Sequence, residues 1–290
     1  MEKTIAIGLV LAILTLACCG LILATNHVKI IKKFFNNYWF YAITSVIALG
    51  YFIGLRWIWD LQDWINGDGT NYVGGLDVVI SKVLLLDMCP FLAVTMPIWL
   101  LIDRRRQYIG CLAWFAIVGA GVTIFGQIMF EKVGPNGNSH LQNVSWWEYI
   151  FFNKLYFIMH FYIFVMAIIV LLNSPNFDWK RIIVSHSFAL LFFSYISTMV
   201  AIFKIKYNAT GIVENDWKPG GQYHVIGAWF DWTWPAVPIV VFSFVWIVIL
   251  LMMLIRNTLS LDEHFDVAQS FKIKAIQIGL KKWLTKKQRL

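Results

Sequence analysis

The stretch DVVISKVLLLDMCPFLAVTMPIWLLI, residues Asp77 to Ile102, decides how the rest of the chain is read. It is long and apolar enough to cross a bilayer, which takes about 20 residues of helix. It also carries Lys82, Asp87, Cys89, Pro90 and Pro97. A plain anchor avoids such residues, because hydrocarbon solvates neither a charge nor a backbone group freed from its helical bond. The combination points to a site built inside a spanning segment.

The surrounding chain agrees. Its 290 residues are 59% hydrophobic and only 14% charged. A mean hydropathy of +0.67 is more apolar surface than one soluble domain of this size can bury. Seven runs are long enough to span: Thr4 to Ala24, Tyr38 to Trp59, Asp77 to Ile102, Gln107 to Phe130, Tyr149 to Leu172, Ile182 to Phe203 and Thr233 to Ile255. The expected fold is therefore an all-α polytopic bundle over residues 1–255, followed by a tail over 256–290. The first run reads as a retained helix rather than a signal peptide, since Glu2 offsets Lys3 and the apolar run exceeds the usual length for cleavage.

An odd number of spans puts the termini on opposite faces, and basic residues choose which is cytoplasmic. One face collects Lys29, Lys32, Lys33, Arg104, Arg105, Arg106, Lys180 and Arg181, together with Arg256, Lys272, Lys274, Lys281, Lys282, Lys286, Lys287 and Arg289 of the tail. The C-terminus is accordingly expected inside and the N-terminus outside, in a cell membrane. The net charge of +8 is then a matter of topology and not of nucleic-acid binding. In the tail, Ile273, Ile276, Leu280 and Trp283 share a helical stripe among lysines, the pattern of a helix lying on anionic inner-leaflet lipid. The segment Asn26 to Asn37 is a weaker version of it.

The outer connections, Asp60 to Leu76, Glu131 to Glu148 and Lys204 to Trp232, are long and rich in Gly and Asn, as access routes often are. Trp229 and Trp234, in a run dense with indoles before the last span, are placed to roof an outward vestibule as well as to anchor the helix at headgroup depth. Asn143-Val-Ser145 and Asn208-Ala-Thr210 are glycosylation sequons on these connections. Cys18, Cys19, Cys89 and Cys111 all lie inside apolar runs and read as free thiols.

Depth singles out one pair of reactive groups. Cys89 lies about 12 residues, roughly 18 Å, into the third span, and His160 about as far into the fifth, which runs in the same direction. Asn153 and Tyr156 share the face of His160, and helical spacing places Lys82 on the face of Cys89. An imidazole beside a thiol can take its proton and generate a nucleophilic thiolate. Pro90 is expected to bend the helix there by displacing the bond to the Leu86 carbonyl. Asp87 joins the same pocket only if that turn is distorted, and otherwise pairs with another helix. His186, near the inner start of the sixth span, reads as structural. No metal site, phosphate loop or nucleophile elbow is present, and no cofactor is implied.

The run Leu84-Leu85-Leu86-Asp87-Met88-Cys89, with the apolar stretch to Ile98-Trp99-Leu100-Leu101, resembles the Leu-Pro-Leu-His-Leu-Cys segment of YwaF-like bacterial integral membrane proteins. His160 with the apolar run to Leu171-Leu172 is similar to that family's membrane histidine. Gly227-Ala228-Trp229 ahead of Trp234-Pro235 resembles its Gly-Pro-Trp-Pro approach to the last helix. Leu85 stands where that family has proline, and Asp87 where it has histidine. The family is related to membrane acyltransferases and lipid hydrolases of the androgen-induced-gene type. The resemblance implies an enzyme in which a phospholipid acylates Cys89, His160 acts as base, and the acyl chain passes to a lipid acceptor or water. A transporter or lipid-binding protein would use the same polar stripe and vestibule without covalent chemistry, and a structural or assembly protein would need neither.

Overall fold

The computed structural model describes residues 2–25, 28–69, 75–130, 156–175, 177–208, 210–218 and 234–258. Among these residues every long regular element is helical: α1 (Glu2–Thr25), α2 (Lys29–Phe35), α3 (Tyr38–Phe52), α4 (Ile58–Asn66), α5 (Leu76–Val83), α6 (Met88–Ile102), α7 (Ile109–Phe130), α8 (Tyr156–Leu172), α9 (Trp179–Phe203) and α10 (Ala236–Thr258). A π-helical turn, Ile53–Trp57, fuses α3 to α4, and a 3-10 turn, Glu214–Trp217, follows α9. Three segments are long and apolar enough to cross a membrane: Tyr38–Asn66, Leu76–Ile102 and Trp179–Phe203. Shorter apolar helical stretches occupy Ala12–Ala24, Ile109–Ile124, Phe157–Leu172 and Pro238–Leu254. Each of the seven apolar runs thus contains helix among its described residues. The tail beyond residue 258 and the Glu131 to Glu148 connection lie outside the described residues.

The core is organised around α7, which packs along α8 and also meets α1, α6, α9 and α10. Small residues make this possible: Ala113, Ala116 and Ala120 are fully buried, and a Cβ added to Gly110 would come within 3.1 Å of the Ser174 Oγ. Helices approach closely where side chains are small, a packing mode that does not depend on the hydrophobic effect between helices. The outward faces are apolar, with Val46 and Ile47 on α3, Leu190 and Leu191 on α9, and Phe244 and Leu251 on α10 all exposed. A surface of this kind calls for a covering of lipid or protein.

Two of the three long segments are deformed, and the deformations face each other. Leu76–Ile102 is not one helix. After α5 the chain makes a Schellman turn, in which the Leu86 N–H donates to the Ser81 carbonyl (2.8 Å) and the Leu85 N–H to that of Lys82 (3.1 Å). Such a turn needs a left-handed residue, and here it is Leu85, at φ 53°, where a glycine would be unstrained. Asp87 then returns to extended backbone and starts α6, its carbonyl accepting from the Phe91 N–H (3.0 Å). The continuous span expected over Asp77 to Ile102 is therefore corrected, and so is the part given to Pro90. Pro90 falls in the first turn of α6, where its missing N–H leaves no helical bond unmade. The break is made at Leu85 instead.

The second segment runs on past the expected boundary at Trp59 to Asn66, through the π turn. Such turns are uncommon and tend to mark functional positions. This one carries Arg56 and Trp57, and one turn later Asp60 sits within 3.6 Å of the Arg56 guanidinium, both groups buried.

Candidate functional site

The backbone groups freed at the break decide what surrounds it. Unwinding a helix within an apolar layer leaves carbonyls that must find other donors. The Val83 carbonyl accepts from the Trp57 indole N–H at 2.8 Å, and the Leu84 carbonyl from the Tyr195 hydroxyl at 2.6 Å. The π turn of one long segment thus caps the broken end of another, and α9 supplies the second cap. Tyr195→Phe keeps the ring and removes only the donor, so it is expected to cost about 1–2 kcal/mol. The check is the unfolding midpoint of the full-length variant in detergent.

Reversal of the chain at Leu85 brings the Lys82 ammonium into an ion pair with the Asp87 carboxylate across the break. The Lys82 side chain is half-buried, at 15% exposure, and that of Asp87 is buried, at 6%. Leu86 and Ile205 close the apolar floor with Phe192 and Ile196.

The connection after α9 folds down along α5. The Lys206 N–H donates to Asp77 (2.9 Å), and the Asn208 side chain reaches the Ser81 hydroxyl (3.4 Å) one turn above the break. The Asn208 N–H in turn donates to both Asp216 carboxylate oxygens, at 3.0 and 3.3 Å. Burial pushes the Asp216 carboxyl up to about 7, aided by the nearby Asp87 charge and opposed by the Asn208 N–H. Asn208 is buried, and its amide oxygen is taken by the backbone N–H and hydroxyl of Thr210.

Cys89 occupies the first turn of α6, beside the break. Its sulfur faces α7, where a Cβ built on Gly119 would lie 3.3 Å away and the Thr123 hydroxyl is within reach. His160 is buried on α8, a helix that packs against both α6 and α7. Helical spacing assigned Lys82 to the face of Cys89, but the break interrupts that register and gives Lys82 to Asp87 instead. Asn153 and Trp229 lie outside the described residues, as does the Tyr156 side chain at the start of α8. Trp234, just ahead of α10, is 37% exposed.

His186 pairs through both ring nitrogens: Nδ1 is 2.9 Å from the Ile182 carbonyl, and Nε2 is 2.8 Å from the Trp246 indole nitrogen. Since the indole can only donate, Nε2 is the acceptor and Nδ1–H the donor, which fixes a neutral tautomer. The four cysteines are free.

Sequence reasoning missed Trp57, Tyr195, Asn208 and Asp216, whose roles are tertiary. It also passed over Arg56 and Asp60, which carried a readable signal: opposite charges at i, i+4 beside an apolar run.

Over the described residues, the fold and the site define a helical protein with segments of membrane-crossing length, one of them broken around a largely buried ion pair. The chain belongs to a family of unknown function (DUF5378), whose model matches residues 13–288. It is similar to the uncharacterised protein MG135 of Mycoplasma genitalium, 29% identical over 252 residues that cover 84% of this chain and 88% of that protein. The MG135 homolog of Mycoplasma pneumoniae is 30% identical over 233 residues, covering 76% of this chain and 78% of that one. No solved structure matches the chain.

Proposed function

We propose that the protein is a multi-pass cell-membrane protein of seven spans, with its N-terminus outside and C-terminus cytoplasmic, that binds and carries a small charged solute at the break in α5–α6. The observation that supports this reading is the Lys82–Asp87 pair held across an unwound turn of an apolar helix. Ionic groups are costly at membrane depth, and broken helices occur there where backbone and charge line a polar site. Each member of the pair offers an exchange. An anionic group competes for the Lys82 ammonium, and a cation or proton competes for the Asp87 carboxylate. The connection carrying Asn208 and Asp216 lies on the side from which an outer solute approaches.

The test is a thermal-shift screen of the full-length protein in detergent against small organic anions, cations and zwitterions. A stabilising solute is expected whose effect disappears in Lys82→Gln and Asp87→Asn and survives in Cys89→Ser. A solute effect that survives both pair variants sinks the reading.

A second reading is favoured by one observation, Cys89 in the first turn of a half-helix with a hydroxyl at hand on α7. In it the protein is a lipid acyltransferase or acyl-lipid hydrolase. The Cys89 sulfur attacks a phospholipid ester carbonyl while His160 takes the thiol proton. The proton then leaves with the lysolipid oxygen, and an acceptor hydroxyl or water cleaves the thioester. An acyl-directed thiol probe should label Cys89 and lose labelling in His160→Ala. An unlabelled, folded, lipid-embedded protein would count against it.

A further inference from the structure

The opposite end of the bundle from the ion-pair site carries a second constellation, built around Arg106. This residue holds a left-handed backbone, φ 52°, and each of its three guanidinium nitrogens donates a hydrogen bond. It donates to the Asn36 side chain (2.8 Å), the Asn36 carbonyl (3.2 Å) and the Asn173 carbonyl (3.3 Å), and lies 5.1 Å from the Tyr41 ring centroid. Arg106 therefore rivets the corner between α2 and α3 to the α6–α7 turn and the end of α8. The neighbouring Tyr38 hydroxyl donates to the Leu101 carbonyl, and Arg104 stacks over its ring at 5.0 Å. The geometry of this corner is fixed by these contacts.

The acidic groups at this end are engaged. Asp103 accepts from the N–H groups of Gln107, Tyr108 and Ile109 at the start of α7, at 3.0, 2.7 and 3.0 Å. Asp178 caps α9 and pairs with Arg181 at 3.5 Å. Lys32, Lys33, Arg104 and Arg105 are exposed, and among the described residues none of them is in an ion pair with a carboxylate. Beside these cations, Ile30 and Phe34 of α2 project apolar surface, 81% and 55% exposed. Exposed cations with no carboxylate partner among the described residues, next to an exposed apolar face, have the chemistry of a headgroup site over acyl chains.

We infer that this corner binds the phosphate headgroup of an anionic phospholipid, with Arg104, Arg105, Lys32 and Lys33 around the phosphate and Ile30 and Phe34 against the acyl region. Guanidinium groups suit this because their planar fork meets phosphate oxygens two at a time. The apolar flank commits the site to lipid over free phosphate. The inference rests on the membrane-embedded part of the reading above, but not on the chemistry of the Lys82–Asp87 pair.

The experiment is native mass spectrometry with thermal unfolding of the full-length protein in detergent, with phosphatidylglycerol or phosphatidylcholine added. Phosphatidylglycerol is expected to be retained and to raise the midpoint, and phosphatidylcholine to do neither. Replacing Lys32, Lys33, Arg104 and Arg105 by glutamine is expected to weaken phosphatidylglycerol retention at least about tenfold. Should that variant fail to fold, the exposed pair alone, Lys32→Glu with Lys33→Glu, carries the same expectation. Undiminished retention in a folded variant overturns the site. So does loss that instead follows neutralisation of Lys281, Lys282, Lys286 and Lys287 in the tail, or equal stabilisation by inorganic phosphate. The double variant Lys82→Met with Asp87→Leu, expected to stay folded and to lose solute binding, should leave lipid retention unchanged, so the two readings fail separately.

Discussion

Lys82→Met is expected to cost about 3–5 kcal/mol of stability, while Lys82→Met combined with Asp87→Leu restores most of it. The asymmetry follows from burial. Removing the ammonium takes the cation from beside a carboxylate that is 6% exposed, whereas replacing both charges by apolar groups of similar volume removes the desolvation cost along with the attraction. The pair exists only because the helix is broken. In a continuous helix residues five apart point about 140° away from each other, and the Schellman turn at Leu85 folds them together. The measurement is equilibrium unfolding of the full-length single and double variants in one detergent. It also separates structure from function: the double variant should be folded yet bind none of the solutes that stabilise the wild type. A single variant as stable as wild type would show the pair to be solvated and the break to be no buried site.

Much of the architecture is legible in the sequence, because an uninterrupted apolar run of about 20 residues is what a bilayer-crossing helix requires and what a surface helix avoids. The run from Ile182 to Phe203 lies inside α9, and that from Thr4 to Ala24 inside α1. The break is not legible. A left-handed C-terminal residue is ordinarily signalled by Gly or Asn, and Leu85 signals neither. Pro90 draws attention in its place because an internal proline is a kink signal, yet the same residue in a first turn is harmless. Helical spacing then misassigns Lys82, since the 3.6-residue register assumes a helix that the chain does not maintain through Leu84–Asp87. Asp216 and Tyr195 carry no local signal at all. Their importance arises from being folded against Asn208 and against the freed carbonyl of Leu84, contacts 8 and 111 residues apart in the chain.

Raising the pH from 5 to 8 is expected to loosen the 205–217 connection, and Asp216→Asn should abolish that dependence. Asp216 is 3% exposed, and burial raises its carboxyl from an ordinary value of 3.8 to about 7. Between those values the folded state holds a proton that the unfolded state has released. Stability is thus greatest at the acid end and falls by about 1.4 kcal/mol per pH unit as pH rises towards 7, then levels off. This is opposite in sign to a salt-bridged carboxylate, whose contribution is lost on acidification. The charge that appears on Asp216 meets Asp87 as a like charge, while the Asn208 N–H opposes its effect only in part. Nearby, the Lys206 backbone N–H is tied to Asp77, and Lys218 pairs with Glu214 at the surface, 2.9 Å apart.

Hydrogen exchange at the Lys206, Asn208 and Thr210 amides reads the effect directly, since each donates to a side-chain oxygen of this network. Protection should fall with pH beyond the chemical increase in exchange rate, and asparagine at 216, which keeps an acceptor without a charge, should remove the excess. Protection that instead rises with pH, or an unchanged slope in Asp216→Asn, would show that the carboxyl titrates as an exposed group. The consequence reaches the break because Asn208 is the residue that joins this connection to Ser81 on α5. A proton lost from Asp216 therefore acts, through one amide, on the cover of the Lys82–Asp87 pair.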